Sequence, residues 1–208
     1  MTSFIDLKET QRLGVYLGWD ATEEAIETHG LQPTLLQRLT GNVPVPMLGE
    51  SGSVTPDSID LDLCCYAFDI EKNCIDQIRP GTGRDINDTE SMYHSGDETT
   101  GYAGEFDEEL FIEFSKLPRD VHDILLYIRI NGDVEVEADT HVKFRLIDAT
   151  HSTELLTKRL PFDGKGEKGC IAGRLTRNAD GWHYRSVNVY MQHHPDDSET
   201  KFFAPYVT

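Results

Sequence analysis

The sequence has no apolar run long enough to span a membrane. Its opening residues, Met1-Thr2-Ser3-Phe4-Ile5-Asp6, lack the basic and apolar regions of a signal peptide. No membrane insertion is expected, and the expected location is cytoplasmic. Basic residues are scarce: 19 Lys and Arg face 37 Asp and Glu, a formal net charge of −18. Such a field repels phosphate backbones and anionic membrane surfaces, which argues against nucleic acid and leaves cations or basic protein surfaces as partners. Cysteines number four and show no Cys-x-x-Cys spacing. Cys64 and Cys65 are adjacent, so in a strand they point to opposite faces and do not pair; reduced, buried thiols are expected.

Catalytic signatures are missing as well. There is no Gly-x-Ser-x-Gly, no His-Glu-x-x-His and no P-loop. Gly164-x-Gly166-x-x-Gly169 matches a dinucleotide fingerprint as a string, but Cys170-Ile171-Ala172-Gly173 reads as a strand and not a helix opening. A hairpin turn is expected there. His94 has no accompanying nucleophile motif, and His193-His194 with Asp196-Asp197 reads as an exposed polar tail. A protein that is not an enzyme is expected.

What the sequence does have is alternation with period two. Leu110, Ile112 and Phe114 share one face of a strand; Ile124, Leu126, Ile128 and Ile130 share one face of another, with Tyr127 and Arg129 opposite. Val142, Phe144 and Leu146 point inward while Lys143 and Arg145 point outward. Residues 13–17, 61–68, 74–78, 155–160, 169–176 and 182–191 read as further strands. Polar turns separate them at 117–120, 131–133, 163–166 and 178–181. Such a series predicts a mainly β fold, an antiparallel β-sandwich of two packed sheets with short helical insertions. At 208 residues a single domain over 1–208 is expected, with 22–57 as a variable region. That region holds a short helix within 23–39 and a Gly-, Pro- and Ser-rich loop over 41–57.

One stretch stands apart. Residues 85–115 contain no lysine or arginine but ten carboxylates: Asp85, Asp88, Glu90, Asp97, Glu98, Glu105, Asp107, Glu108, Glu109 and Glu113. Inside it, residues 96–108 form a glycine-punctuated acidic loop that runs into a strand. Asp60 and Asp62, at i and i+2, project to one face of an extended chain. Crowded like charges destabilise a fold unless something neutralises them. Two readings remain open. One is a bound hard cation, for which calcium's ~6–8 flexible oxygen ligands suit the pattern better than magnesium. The other is a solvated loop balanced by distant lysines. Asp97 and Glu108 fall at the first and last positions of an EF-hand loop, yet Tyr102 occupies the position that needs glycine, and a strand follows. It is not an EF-hand.

The motifs Gly18-Trp19-Asp20, Asp60-Leu61-Asp62 and His94-Ser95-Gly96-Asp97 come in this order, followed by the corner Ser115-Lys116-Leu117-Pro118, Asp120-Val121-His122 and Gly181-Trp182. Together they resemble the TerD-type tellurium-resistance and stress-response family. The resemblance implies a calcium-binding β-sandwich holding one or two Ca2+ ions. It places ligands at Asp60, Asp62, Asp97, Thr100, Gly101, Asp107 and Glu108, with Thr100 and Gly101 acting mainly through their carbonyls. Glu98-Thr99 replaces the family's usual Asn-Arg, Ala103 and Glu105 replace glycines, and Phe106 replaces an aspartate. One ligand is therefore expected to be lost while Glu98 supplies another. Asp20 is read as structural. The implied role is a binding or scaffold module with partners in a stress-response system. The alternatives are a metal-dependent hydrolase built on the same carboxylates and a metal-free interaction domain.

Overall fold

The computed structural model describes residues 3–19, 59–80, 85–97, 106–132, 136, 140–193 and 200–208. The helix expected within 23–39 and the loop over 41–57 lie outside them. Eleven strands are present among the described residues: β1 (Phe4–Asp6), β2 (Arg12–Trp19), β3 (Leu61–Phe68), β4 (Cys74–Ile78), β5 (Met92–His94), β6 (Glu108–Glu113), β7 (Asp123–Ile130), β8 (Val142–Asp148), β9 (Thr153–Leu160), β10 (Gly169–Asn178) and β11 (Gly181–Met191). They form two antiparallel sheets, one in the order β1-β11-β10-β7-β3-β4 and the other β5-β6-β2-β8-β9.

The alternating aliphatics meet between these sheets. Leu13, Val15 and Leu17 of β2 and Leu110 and Ile112 of β6 pack against Leu61, Leu63 and Cys65 of β3 and Ile124, Leu126 and Ile128 of β7. All are fully buried. The chain is a β-sandwich, as the period-two pattern predicts.

A second apolar cluster covers the outer face of the six-stranded sheet. Cys64, Tyr66 and Phe68 of β3 and Leu125 and Tyr127 of β7 lie there with Ile171, Met191, Phe203 and Val207. The covering residues come from a 3-10 helix, Thr200–Tyr206, and the residues after it. Phe203 lies with its ring centroid 4.7 Å from Tyr66 and 5.3 Å from Tyr127. Asp123 secures the segment by accepting from the Thr208 amide at 2.9 Å and its hydroxyl at 2.7 Å. Tyr127 thus lies opposite the inner aliphatics as expected, but in a second core.

The connection over 161–168 corrects one expectation. It leaves β9 in the five-stranded sheet and enters β10 in the six-stranded sheet, so it crosses between sheets and is not a hairpin turn. Its glycines serve a tight path: Gly164 and Gly166 have φ of 69° and 76°. The Glu167 carboxylate braces it, accepting the amides of Asp163 at 3.0 Å and Lys165 at 3.1 Å.

Asp148, at the end of β8, gives the fold an acid-sensitive tie. Burial alone would raise its pKa, but hydrogen bonds from His151, Thr10 and the amides of His151 and Thr150 hold it down at about 2. A carboxyl lowered on folding contributes stability that is present above its unfolded value near 4 and is lost as pH falls through the folded one. Between about pH 4 and pH 2, wild type is therefore expected to lose stability more steeply than Asp148→Asn, as read by denaturant midpoints. Equal slopes would show that this carboxylate does not carry the loss.

Candidate metal centre

Several strand ends converge at one end of the sandwich. Asp60 and Asp62 come from the start of β3, Asp97 from the turn after β5, and Asp107 and Glu108 from the start of β6. Carboxylate oxygens of Asp60, Asp62 and Asp97 all lie within 4.8 Å of one another. Asp62 is buried, Asp60 half-buried and Asp97 exposed, so the group opens to solvent on one side.

Asp62 carries the electrostatic strain of this arrangement. Burial pushes its pKa up to about 6; the charges of Glu108, Asp60 and Asp97 add to the rise, and a hydrogen bond from Asn131 opposes it. Its Oδ1 is buried and finds no hydrogen-bond partner among the described residues. Asn131 holds the neighbour too, donating from its side chain to Asp60 Oδ2 at 3.1 Å and from its amide to the Asp60 carbonyl at 2.9 Å. The sequence marks Asn131 only as a turn residue. Its role follows from register: Leu61 pairs with Ile130 across β3 and β7, which sets Asn131 beside Asp60.

The approach of Asp97 is fixed by a short relay. Gly96, at φ 130°, donates its amide to His94 Nδ1 at 3.2 Å. His94 Nε2 lies 3.3 Å from Glu108 Oε2, with both side chains fully buried. The same Glu108 oxygen accepts the Leu63 amide from the opposite sheet. Glu108 therefore ties the two sheets together and, through His94 and Gly96, holds the strand that presents Asp97. The Ser95 amide adds a bond to the Glu109 carbonyl at 2.8 Å.

Asp107 has a different task. Its Oδ2 accepts the Trp19 amide at 2.8 Å, and its own amide donates to the Leu17 carbonyl at 2.9 Å. It closes the end of β2, while the Trp19 indole donates to the Ile59 carbonyl at 2.8 Å. Of the residues expected at the site, Asp60, Asp62 and Asp97 come together, and the charge of Glu108 reaches Asp62. Asp107 is engaged by β2, and Glu98, Thr100, Gly101 and Asp20 lie outside the described residues. The rest of the acidic stretch finds basic partners in part: Arg12 Nε pairs with Glu113 at 3.2 Å and Lys116 with Glu90 at 3.7 Å.

An antiparallel sandwich whose end gathers aspartates from separate segments defines a class, a β-sandwich with a carboxylate cluster at one end. The sequence matches the TerD domain over residues 4–194, and the chain belongs to the TerD domain family. It is 24% identical over 134 residues to the uncharacterized protein YceE of Bacillus subtilis, a match covering 62% of this chain and 69% of that one. It is 28% identical over 104 residues to the tellurium resistance protein TerD of an Alcaligenes species, covering 48% of this chain and 54% of that protein's length. Two crystal structures share the fold over 94% of this chain and 95% of theirs. A homologue of the telluride resistance protein TerD from Streptomyces coelicolor matches with a TM-score of 0.63 at 16% identity. A protein of unknown function matches with a TM-score of 0.64 at 14% identity. Among the described residues no helix is long and apolar enough to cross a membrane.

Proposed function

We propose that this chain is a cytoplasmic calcium-binding module that serves a tellurium-resistance type of stress response as a binding or scaffold protein and not as an enzyme. The observation that supports it most is the Asp60, Asp62 and Asp97 triad. Calcium binds oxygen at about 2.3–2.6 Å, so one ion bridges oxygens up to roughly 5 Å apart. The three carboxylates meet that limit, all within 4.8 Å. A buried Asp62 oxygen without a hydrogen-bond partner among the described residues fits a cation ligand. The donor set is all oxygen, as a hard ion requires. Glu98 and the carbonyls of Thr100 and Gly101 follow Asp97 directly in sequence and would complete the shell, with Glu108 and Asp107 ordering the strands behind it. When bound, calcium would neutralise the acidic end and fix the surface offered to partner proteins.

Thermal unfolding of the full chain in excess chelator, then with calcium or magnesium restored, tests this reading. A rise with calcium is expected, worth about 2.7 kcal/mol once calcium is at a hundred times its dissociation constant. Magnesium, which demands compact octahedral geometry and keeps its waters, is expected to raise the midpoint far less. No response to either ion would leave the acidic end a solvated surface and remove the proposal.

A further inference from the structure

A cavity lies on the outer face of the six-stranded sheet, away from the carboxylate cluster. Half-open and about 470 Å³ in volume, it is lined by Phe4 of β1, Arg174 and Thr176 of β10, His183 and Arg185 of β11, and Thr208. Arg174 and Arg185 stand directly opposite each other across β10 and β11. Like charges in that position destabilise a sheet unless a counter-charge sits between them.

The protein supplies that counter-charge incompletely. Arg174 donates through Nη1 to the Tyr206 carbonyl at 3.0 Å, but its Nε lies 3.7 Å from Asp123 Oδ1, too far for a hydrogen bond. The Asp123 oxygens are already taken by the Thr176 hydroxyl at 2.6 Å and by the amide and hydroxyl of Thr208. Arg174 Nε is left buried without a hydrogen-bond partner among the described residues. Arg185 is exposed, with no ion pair or hydrogen bond to any described residue. An arginine without a carboxylate is unexpected in a chain with 37 acidic and 19 basic residues.

His183 borders the same cavity. Its side chain is 9% exposed, Nε2 meets Asp180 at 3.2 Å, and the nearest acid to Nδ1 is Asp6 at 3.9 Å. Nδ1 is buried and makes no hydrogen bond to any described residue. One face of the imidazole stacks on Phe4 at 5.4 Å and 22°, and Phe4 is itself 67% exposed. Two guanidinium groups, an imidazole and an exposed phenyl ring therefore border one cavity.

We propose that this cavity binds a small organic oxyanion, a phosphate or carboxylate carried on a planar ring. The anion meets Arg174 and Arg185, whose forked donors match such groups in bidentate geometry, and the ring packs on Phe4. The net charge of −18 repels anions at long range, which favours a compact, singly anchored ligand over an extended polyanion.

The test titrates phenyl phosphate, benzoate and inorganic phosphate into isotopically labelled full-length protein and follows the arginine Nε–H resonances. Saturable shifts at Arg174 and Arg185 are expected with phenyl phosphate, with benzoate, or with both, and this separates a phosphate from a carboxylate ligand. Arg185→Gln removes an exposed side chain and is expected to keep the fold. It should weaken binding by at least about tenfold, the loss of one charge-assisted hydrogen bond. Phe4→Ala should erase the advantage of phenyl phosphate over inorganic phosphate. Absence of saturable shifts with all three probes, or binding that Arg185→Gln leaves unchanged, would overturn the proposal.

Discussion

Phe203→Ala is expected to lower stability by about 3–5 kcal/mol, the range for removing a large aromatic side chain from a packed interior. Phe203 is completely buried and contacts the rings of Tyr66, Phe68 and Tyr127 at once. Truncation leaves a void over β3 and β7, neighbouring strands of the six-stranded sheet that are buried on both faces. For a chain of this size each kcal/mol moves the midpoint by about 2–4 °C, so the fall is roughly 6–20 °C. Phe203→Leu keeps most of the volume and is expected to cost much less. Calorimetry of the three proteins under one buffer condition checks the series. A wild-type midpoint in Phe203→Ala would mean that the 3-10 helix does not cover the sheet.

Neutralising the acidic end is expected to change sign with the ion present. In chelator, Asp62→Asn with Asp97→Asn removes the cost of burying the Asp62 charge and, with it, the smaller repulsion from Glu108, Asp60 and Asp97. The gain is on the order of 1–2 kcal/mol, after allowing for solvent screening at the open side. In saturating calcium the same variant loses the ion's contribution and is expected to be less stable than wild type. Two unfolding curves per protein therefore cross between conditions. If the variant and wild type show the same calcium-dependent shift, the triad does not hold the ion.

Legibility in the sequence follows the distance over which each cause acts. Strands with one aliphatic face, such as β6, β7 and β8, are readable because the period-two pattern is local. The strands β1 and β5, of three residues each, are too short for that pattern. Burial of the outer face is not local at all: Tyr66 and Tyr127 look solvent-facing until Phe203, far along the chain, packs on them. At the carboxylate cluster, the acidic loop and the Asp60 and Asp62 pair stand out by charge and spacing, whereas the choice of Asp97 within the loop is what the family resemblance implies. The attachment of Asp107 to the Trp19 amide and of Glu108 to the Leu63 amide could not be read, since any backbone amide looks alike in sequence. The two arginines facing each other on β10 and β11 emerge only from cross-strand register.

The neighbouring thiols of β3 sit in different compartments. Cys65 belongs to the core between the sheets, its sulfur 3.4 Å from Met92 Sδ, whereas Cys64 belongs to the cluster beneath Phe203 and Val207. Burial raises the pKa of both, so neither reacts while covered. Cys64 becomes accessible to an alkylating reagent when the segment over the outer face lifts. Cys65 waits for the sheets to separate. A single dipeptide thus carries two labelling clocks, one timed by local opening and the other by global unfolding.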